Sequence, residues 1–183
     1  MRLESEIEKL YTLGAEPVGV SVDSPGRNAA MIGRWHLSFR IESDPGGERF
    51  LKPLDLWNEH ERGGIGVPAV FVLSPARTDV WSHRSRDFAD RPDDADIFAV
   101  LQTLALPPLE PPLAPFRPAV EPEEHPGAFR TDAFGHYHRG VMFAMAALAR
   151  LMKDPDDQAE AEARARQASS FIEAWKQVRA RVE

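Results

Sequence analysis

The spacing of hydrophobic positions changes along this chain, and the changes mark its elements. Residues 2–13 place Leu3, Ile7, Leu10 and Tyr11 on one stripe, with Gly14 where a helix stops. The run Pro17 to Val22, closed by Asp23, has the continuous apolar character of a buried strand. Ser24 then supplies a cap and Pro25 a first turn for a second helix, whose inner face is Ala29, Ile32 and Trp35. Leu37–Ile41 alternate weakly, as a short edge strand does, and Asp44-Pro45-Gly46-Gly47 is a turn. Glu48–Trp57 reads as a short helix broken at Pro53, and Asn58–Gly64 as a polar link.

The densest apolar stretch follows. Ala69-Val70-Phe71-Val72-Leu73 is rich in β-branched and aromatic side chains and reads as a strand buried on both faces. Pro68 stands at its entrance, where a missing N–H costs no ladder bond. Ser74-Pro75 turns the chain, and Asp79–His83 returns antiparallel. Asp90 and Pro92 open another helix with Ile97, Phe98, Leu101 and Leu104 inward. Strands that alternate with helices, followed by a hairpin and a helix, give an α/β arrangement with a mixed sheet.

The pattern breaks at Leu106. Eight of the chain's 16 prolines fall between Pro107 and Pro126, which excludes a helix and predicts an extended segment. Leu109, Leu113 and Phe116 are interleaved with them, so the segment is expected to lie along the domain surface. The remainder reads as a helical hairpin. Its first helix, from about Ala133 to Lys153, carries Phe134, Tyr137, Val141, Met145, Leu148 and Met152 on one side, with Gly140, Ala144 and Ala147 leaving room for close helix approach. Asp154 caps the second, in which Ala161, Ala165, Ala168, Phe171, Ile172, Trp175, Val178 and Val182 face inward. The expected organisation is therefore an α/β domain over residues 1–105, a proline-rich linker over 106–130 and a helical hairpin over 131–183.

Composition narrows the function. The 183 residues are 43% hydrophobic, enough for a packed core, and the net charge of −7 argues against nucleic acid as a partner. The charged start and the lack of any apolar run near the roughly 20 residues of a membrane span point to a cytoplasmic chain with no membrane partner. No cysteine is present, which removes thiolate catalysis, disulfides and cysteine-ligated metal sites.

Residues 5–104 resemble the peroxiredoxin superfamily, its alkyl hydroperoxide reductase/thiol-specific antioxidant branch. The matching words are Leu13-Gly14-Ala15-Glu16-Pro17-Val18-Gly19-Val20-Ser21-Val22-Asp23-Ser24, then Ser43-Asp44-Pro45, then Gly64-Ile65-Gly66-Val67-Pro68-Ala69-Val70-Phe71-Val72-Leu73, and Arg86-Asp87-Phe88-Ala89-Asp90-Arg91-Pro92. The resemblance implies a thioredoxin-like mixed sheet lacking its N-terminal strands, and a family activity of thiol-dependent peroxide reduction. The family's cysteine belongs at the start of the helix preceding the Leu-Gly-Ala-Glu word, where this chain begins, and the central strand feeding it is missing too. The arginine that commonly precedes the proline is replaced by Val67, which offers neither charge nor donor.

The expectation is thus a redoxin-like protein without its own redox cysteine or cofactor, acting as a binding or assembly module. Its site would be the proline loop and surroundings: Val67, Pro68, Trp81 and Arg86. The alternative is an antioxidant peroxidase subunit whose cysteine comes from a partner chain or was lost by truncation. A sheet without its central strand leaves an edge, so a homodimer or a partner chain completing the sheet is expected.

Other chemistry is weaker. His136 and His138 could chelate a metal on a strand, but at about 100° per residue on a helix their rings point roughly 200° apart. His36 suits the negative end of a helix. Arg84, Arg86 and Asp87 could form an ion pair or hold a small anion, and the ion pair is the favoured reading. Trp57 and Trp81 read as core or interface aromatics.

Overall fold

The computed structural model of the protein describes residues 2–61, 63–85, 91–109 and 114–182. Packing divides the chain into two units that interleave in sequence: a helical unit of Met1–Ser5, Arg34–His36 and His125–Glu183, and a mixed unit of Glu6–Gly33 and Leu37–Glu124. Helices and short strands are both present, as an α/β pattern requires, but the strands form three separate two-stranded sheets among the described residues.

In the mixed unit, α2 (Ile7–Thr12) leads to β1 (Gly19–Ser21), α3 (Pro25–Trp35) and β2 (Ile41–Ser43), with β1 and β2 parallel. The last turn of α3 is counted with the helical unit. Ser24 caps α3 as its sequence position implies, its Oγ accepting from the Arg27 N–H at 3.3 Å. At the other end His36 takes the left-handed conformation, φ 53°, that glycine usually fills, and the Leu37 N–H closes the helix on the Ile32 carbonyl.

Residues 48–57 do not form the expected helix. They are a chain of turns wound on Asp44, whose buried carboxylate accepts the backbone N–H groups of Arg49, Phe50 and Leu51 at 3.1, 2.9 and 3.0 Å. Donors committed to a side chain outside the segment, a proline at 53 and a positive φ of 56° at Asp55 leave no continuous helical ladder. Burial pushes the Asp44 carboxyl up, but the three N–H groups and nearby Arg49 pull harder, so its pKa is lowered. The hairpin of β3 (Trp57–Asn58) and β4 (Ile65–Gly66) follows. The Trp57 indole lies so close over Gly47 and Gly64, both at positive φ, that a Cβ at either would collide with the ring. Trp57 is half-buried, and the two glycines let it pack flat.

β5 (Ala69–Leu73) and β6 (Asp79–Arg84) form the expected antiparallel hairpin, with a bulge at Val72/Leu73. β5 is not buried on both faces: only Val72 is buried, and Leu73 is 54% exposed. α4 (Asp94–Leu104) is capped by Asp93, which accepts from the Ala95 N–H at 3.0 Å, and buries Ile97, Phe98 and Leu101. The proline-rich segment lies along this unit. Its backbone donates from Leu109 to the Tyr11 carbonyl, from Phe116 to Ser38 and from Glu123 to Gly26, and the Glu123 carboxylate accepts from the Ser24 hydroxyl at 2.8 Å. Pro111, Pro112 and Leu113 lie outside the described residues.

The helical unit holds α1 (Arg2–Ser5), α5 (Thr131–Ala149) and α6 (Pro155–Val182). The single helix expected over 2–13 is broken at Glu6, and Arg181 donates to the Glu4 and Ser5 carbonyls at 3.0 and 2.6 Å. In a continuous helix those carbonyls would pair with Glu8 and Lys9. Asp154 caps α6 as expected, accepting from the Asp156 and Asp157 N–H groups at 2.8 and 3.3 Å. The core is aromatic: Trp35 meets Phe134 and Trp175 edge-to-face, each at 5.1 Å between centroids. The packed side of α5 differs from the expected one. Phe134 and Ala149 are buried, whereas Tyr137, Leu148 and Met152 are exposed. Phe134, Val141 and Met145 of the expected side are buried or half-buried, while His138 and Ala149 are covered in place of their neighbours Tyr137 and Leu148.

Asp44 is the polar centre of the turn region, which gives a stability prediction. Asp44→Ala should cost about 2–3 kcal/mol in urea unfolding, because three N–H groups lose a charged acceptor. Because the folded pKa is depressed, the carboxylate's contribution is full above the unfolded value near 3.9 and disappears as pH falls through the folded one. The variant should therefore lose less stability than the parent on acidification below pH 4.

Candidate functional site

The backbone of two strands defines the most unusual surface of the mixed unit. In β1 the Gly19 N–H donates to the Arg40 carbonyl at 2.9 Å, and the Ser21 carbonyl accepts from the Asp44 N–H at 2.8 Å. Alternate residues of a strand face opposite edges, so Gly19 and Ser21 serve β2 while Val18, Val20 and Val22 turn their N–H and C=O groups the other way. In β5 the Pro68 carbonyl accepts from the Ser85 N–H at 2.8 Å, and the Ser74 N–H donates to Thr78 at 2.9 Å. Pro68, Val70 and Val72 therefore serve β6, and Ala69, Phe71 and Leu73 present their backbone groups on the outer edge. Among the described residues no strand pairs with either edge. Both edges are lined by apolar side chains, Val18 and Val20 being 42% exposed and Ala69, Val70 and Phe71 half-buried.

The carboxyl ends of β1 and β2 are held in place by polar groups. Buried Asn28 on α3 donates through Nδ2 to the Ser43 Oγ at 2.8 Å and to the Asp23 carbonyl at 3.4 Å. Ser21 Oγ donates to Asp23 Oδ2 at 2.9 Å and accepts from the Asp23 N–H at 3.1 Å. Asn28 thus ties a helix to the ends of both parallel strands and fixes the β1 edge. The sequence carried one signal for it, a polar residue on the apolar side of a capped helix, which must find partners when buried.

The residues expected to form the proline loop site are only partly brought together. Val67 and Pro68 stand half-buried between β4 and β5, and the Val67 N–H donates to the Leu56 carbonyl at 2.7 Å. Trp81 pairs with Val72 and lies on the same face of the hairpin as Pro68. Val72 stands four positions after Pro68, so Trp81 sits about 13 Å along the strand from the proline at roughly 3.3 Å per residue. Arg86 and Asp87 lie outside the described residues. The Arg84 guanidinium donates to the Leu54 and Asp55 carbonyls at 2.8 and 3.4 Å and covers the Phe71 ring. Carbonyls freed by the turns at 53–55 make good acceptors for it, a long-range fit with no local sequence signal.

The two histidines of α5 point apart, as the helix geometry predicts. His136 is exposed, while His138 is half-buried against Phe134 at 4.3 Å and Phe171 and Tyr137 at 5.1 Å. Among the described residues no group of three or more His, Asp or Glu side chains is gathered in a way that could hold a metal ion. Among the same residues, no helix is long and apolar enough to cross a membrane. His36 stacks on Trp175 at 6.4 Å, a packing role beside its place at the helix end. No family model matches the chain, and comparison with curated proteins finds no match.

Burial lowers the pKa of His138, because the aromatic cage cannot solvate an imidazolium. The folded helical unit therefore favours the neutral ring. Its stability should be greatest above the unfolded histidine value of about 6.5 and fall as pH drops through the folded value. Thermal melts of the chain between pH 8 and pH 5 should show this loss, and His138→Phe should flatten it. An unchanged pH profile in that variant would place the pH dependence elsewhere.

Proposed function

We propose that this protein is a cysteine-free, peroxiredoxin-like binding module that accepts an extended strand along the free edges of β1 and β5. The observation that carries the reading is the pair of edges: Val20 on β1, flanked by Val18 and Val22, and Ala69, Phe71 and Leu73 on β5, apolar and paired with no further strand among the described residues. Two further features support it. The order β1–α3–β2, then β5–β6 and α4, is the order expected of a thioredoxin-like sheet that lacks its N-terminal strands. In such a sheet the absent strand would lie between the two elements that carry the free edges. A strand bound there would gain main-chain hydrogen bonds on both sides, which is the affinity term of β-strand addition, and apolar neighbours on both faces.

The same arrangement argues against peroxide chemistry by this chain alone. The chain has no thiol, and Val67 beside Pro68 offers no cation to a peroxide or a thiolate.

Hydrogen exchange tests the reading directly. In the free protein the Val20, Phe71 and Leu73 amides should exchange faster than those of Ser21, Val70 and Val72. Synthetic ten-residue peptides rich in Val and Ile should slow the first group, and Val20→Pro, which removes an outward N–H without touching the β1–β2 bonds, should weaken that binding at least tenfold. Peptides with a proline at every third position serve as controls. Absence of protection by any strand peptide, or consumption of hydrogen peroxide by the purified chain with a thiol reductant, overturns the proposal.

A further inference from the structure

The start of the chain is pulled between its own pattern and a distant side chain. Leu3, Ile7 and Leu10 recur at helical spacing, so the local pattern specifies one continuous helix. The chain instead breaks at Glu6, with φ −107° and ψ 16°, between α1 and α2. Glu6 does not cap α2 with its side chain, and Glu8 and Lys9 take exposed positions in the first turn. Their N–H groups are among those that a helix start leaves without an intrahelical acceptor. Before the break, the carbonyls of Glu4 and Ser5 are taken by Arg181 from the last turn of α6, through Nη1 at 3.0 Å and Nη2 at 2.6 Å. One planar guanidinium forks onto two successive carbonyls, at the helix end where a cation is favoured. In a straight helix Glu4 would accept from Glu8, and Ser5 from Lys9. The guanidinium and the two amides compete for the same two oxygens.

We propose that Glu6 is a hinge with two settings and that Arg181 is its catch. In the caught setting the guanidinium holds the Glu4 and Ser5 carbonyls, and α1 lies with α6. In the released setting residues 3–12 form one helix, and the same carbonyls accept from Glu8 and Lys9. The hydrophobic burial at stake is small. The two buried residues of α1 are polar, Glu4 at 5% and Ser5 at 8% exposed, and Leu3 is half-buried. Withdrawing them takes little hydrocarbon out of its packing. Straightening also brings Leu3 into line with Ile7 and Leu10, both buried on α2. A local preference that opposes the observed fold is the mark of a strained or functional position. Hinges absorb their change in a few backbone angles, and here those are the φ and ψ of one residue. The device ties the form of the first turns to the last turn of α6, a separation of 177 positions between Glu4 and Arg181.

Amide exchange and Cα chemical shifts, read residue by residue on the full chain, test the catch. Arg181→Gln removes the fork and keeps a polar side chain that suits a helix. Glu8 and Lys9 should then exchange about fivefold more slowly than in the parent, the worth of one net backbone bond. The Glu6 Cα shift should move toward its helical value. An Arg181 that only supported packing gives the opposite sign, because its loss frays the chain end and speeds exchange. Glu8→Pro supplies the converse test, since proline is tolerated in the first turn of α2 and removes a donor of the straight helix. Glu8→Pro combined with Arg181→Gln should return Lys9 to the parent rate and Glu6 to the parent shift. Arg181→Lys reaches one carbonyl without forking and should fall between the parent and Arg181→Gln. It also carries the test if the glutamine variant does not fold. Faster or unchanged exchange at Glu8 and Lys9 in the Arg181 variants, or slow exchange at Lys9 that survives Glu8→Pro, overturns the proposal.

Discussion

Backbone hydrogen bonding of short strands is the constraint on which the mixed unit depends. Each strand residue brings one donor and one acceptor, and a two-stranded sheet satisfies only half of them. In β1 and β5 the other half points to an edge that no described strand occupies. A lone two-stranded ribbon is marginal, so the ends are held by side chains. Asn28 joins α3 to both ends of the parallel pair, Asp44 gathers three N–H groups beyond β2, and Arg84 binds the carbonyls of residues 54 and 55. These bonds anchor the ends of the strands, so on the proposed reading a strand added to the edges finds them already fixed.

What was legible in the sequence was local. Ser24 and Asp154 announced helix starts, and the Ser74-Pro75 turn announced the β5–β6 hairpin, because caps and turns are decided within a few residues. The segment at 48–57 misled, since its apolar spacing fits a helix while its amides serve Asp44, a residue outside the pattern. The same holds for Arg181 on the Glu4 and Ser5 carbonyls and for Glu123 on Ser24. Both unite residues far apart in the chain, and no window of sequence contains both partners.

The candidate site divides along the same line. Pro68 at the mouth of β5 and the extended character of Ala69–Leu73 could be read from composition. The separation of Trp81 from Pro68 could not, because it depends on the register of the hairpin. Burial of β5 was overestimated for a related reason: a run of apolar residues records what a strand can bury, and the neighbours decide what it does bury. For α5 the seven-residue spacing showed that the helix packs, and only the position of α6 tells that Ala149 rather than Leu148 is covered.

The distribution of polar groups bears on catalysis against binding. Catalytic groups are poised by burial or by neighbours and aimed at a cleft. Here the groups with shifted ionisation have other uses: Asp44 is held ionised by amides at a turn, His138 is kept neutral by aromatic rings in a helical core, and Arg130 and Asp132 pair with each other in solvent. Of the polar side chains nearest the free edges, Ser21, Asp23 and Arg84 are bonded to one another or to backbone, and Asn28 donates to Ser43 and to the Asp23 carbonyl while its buried Oδ1 has no partner among the described residues. What those edges offer to another molecule is backbone and hydrocarbon. On the proposed reading, such a surface selects an extended apolar chain by geometry.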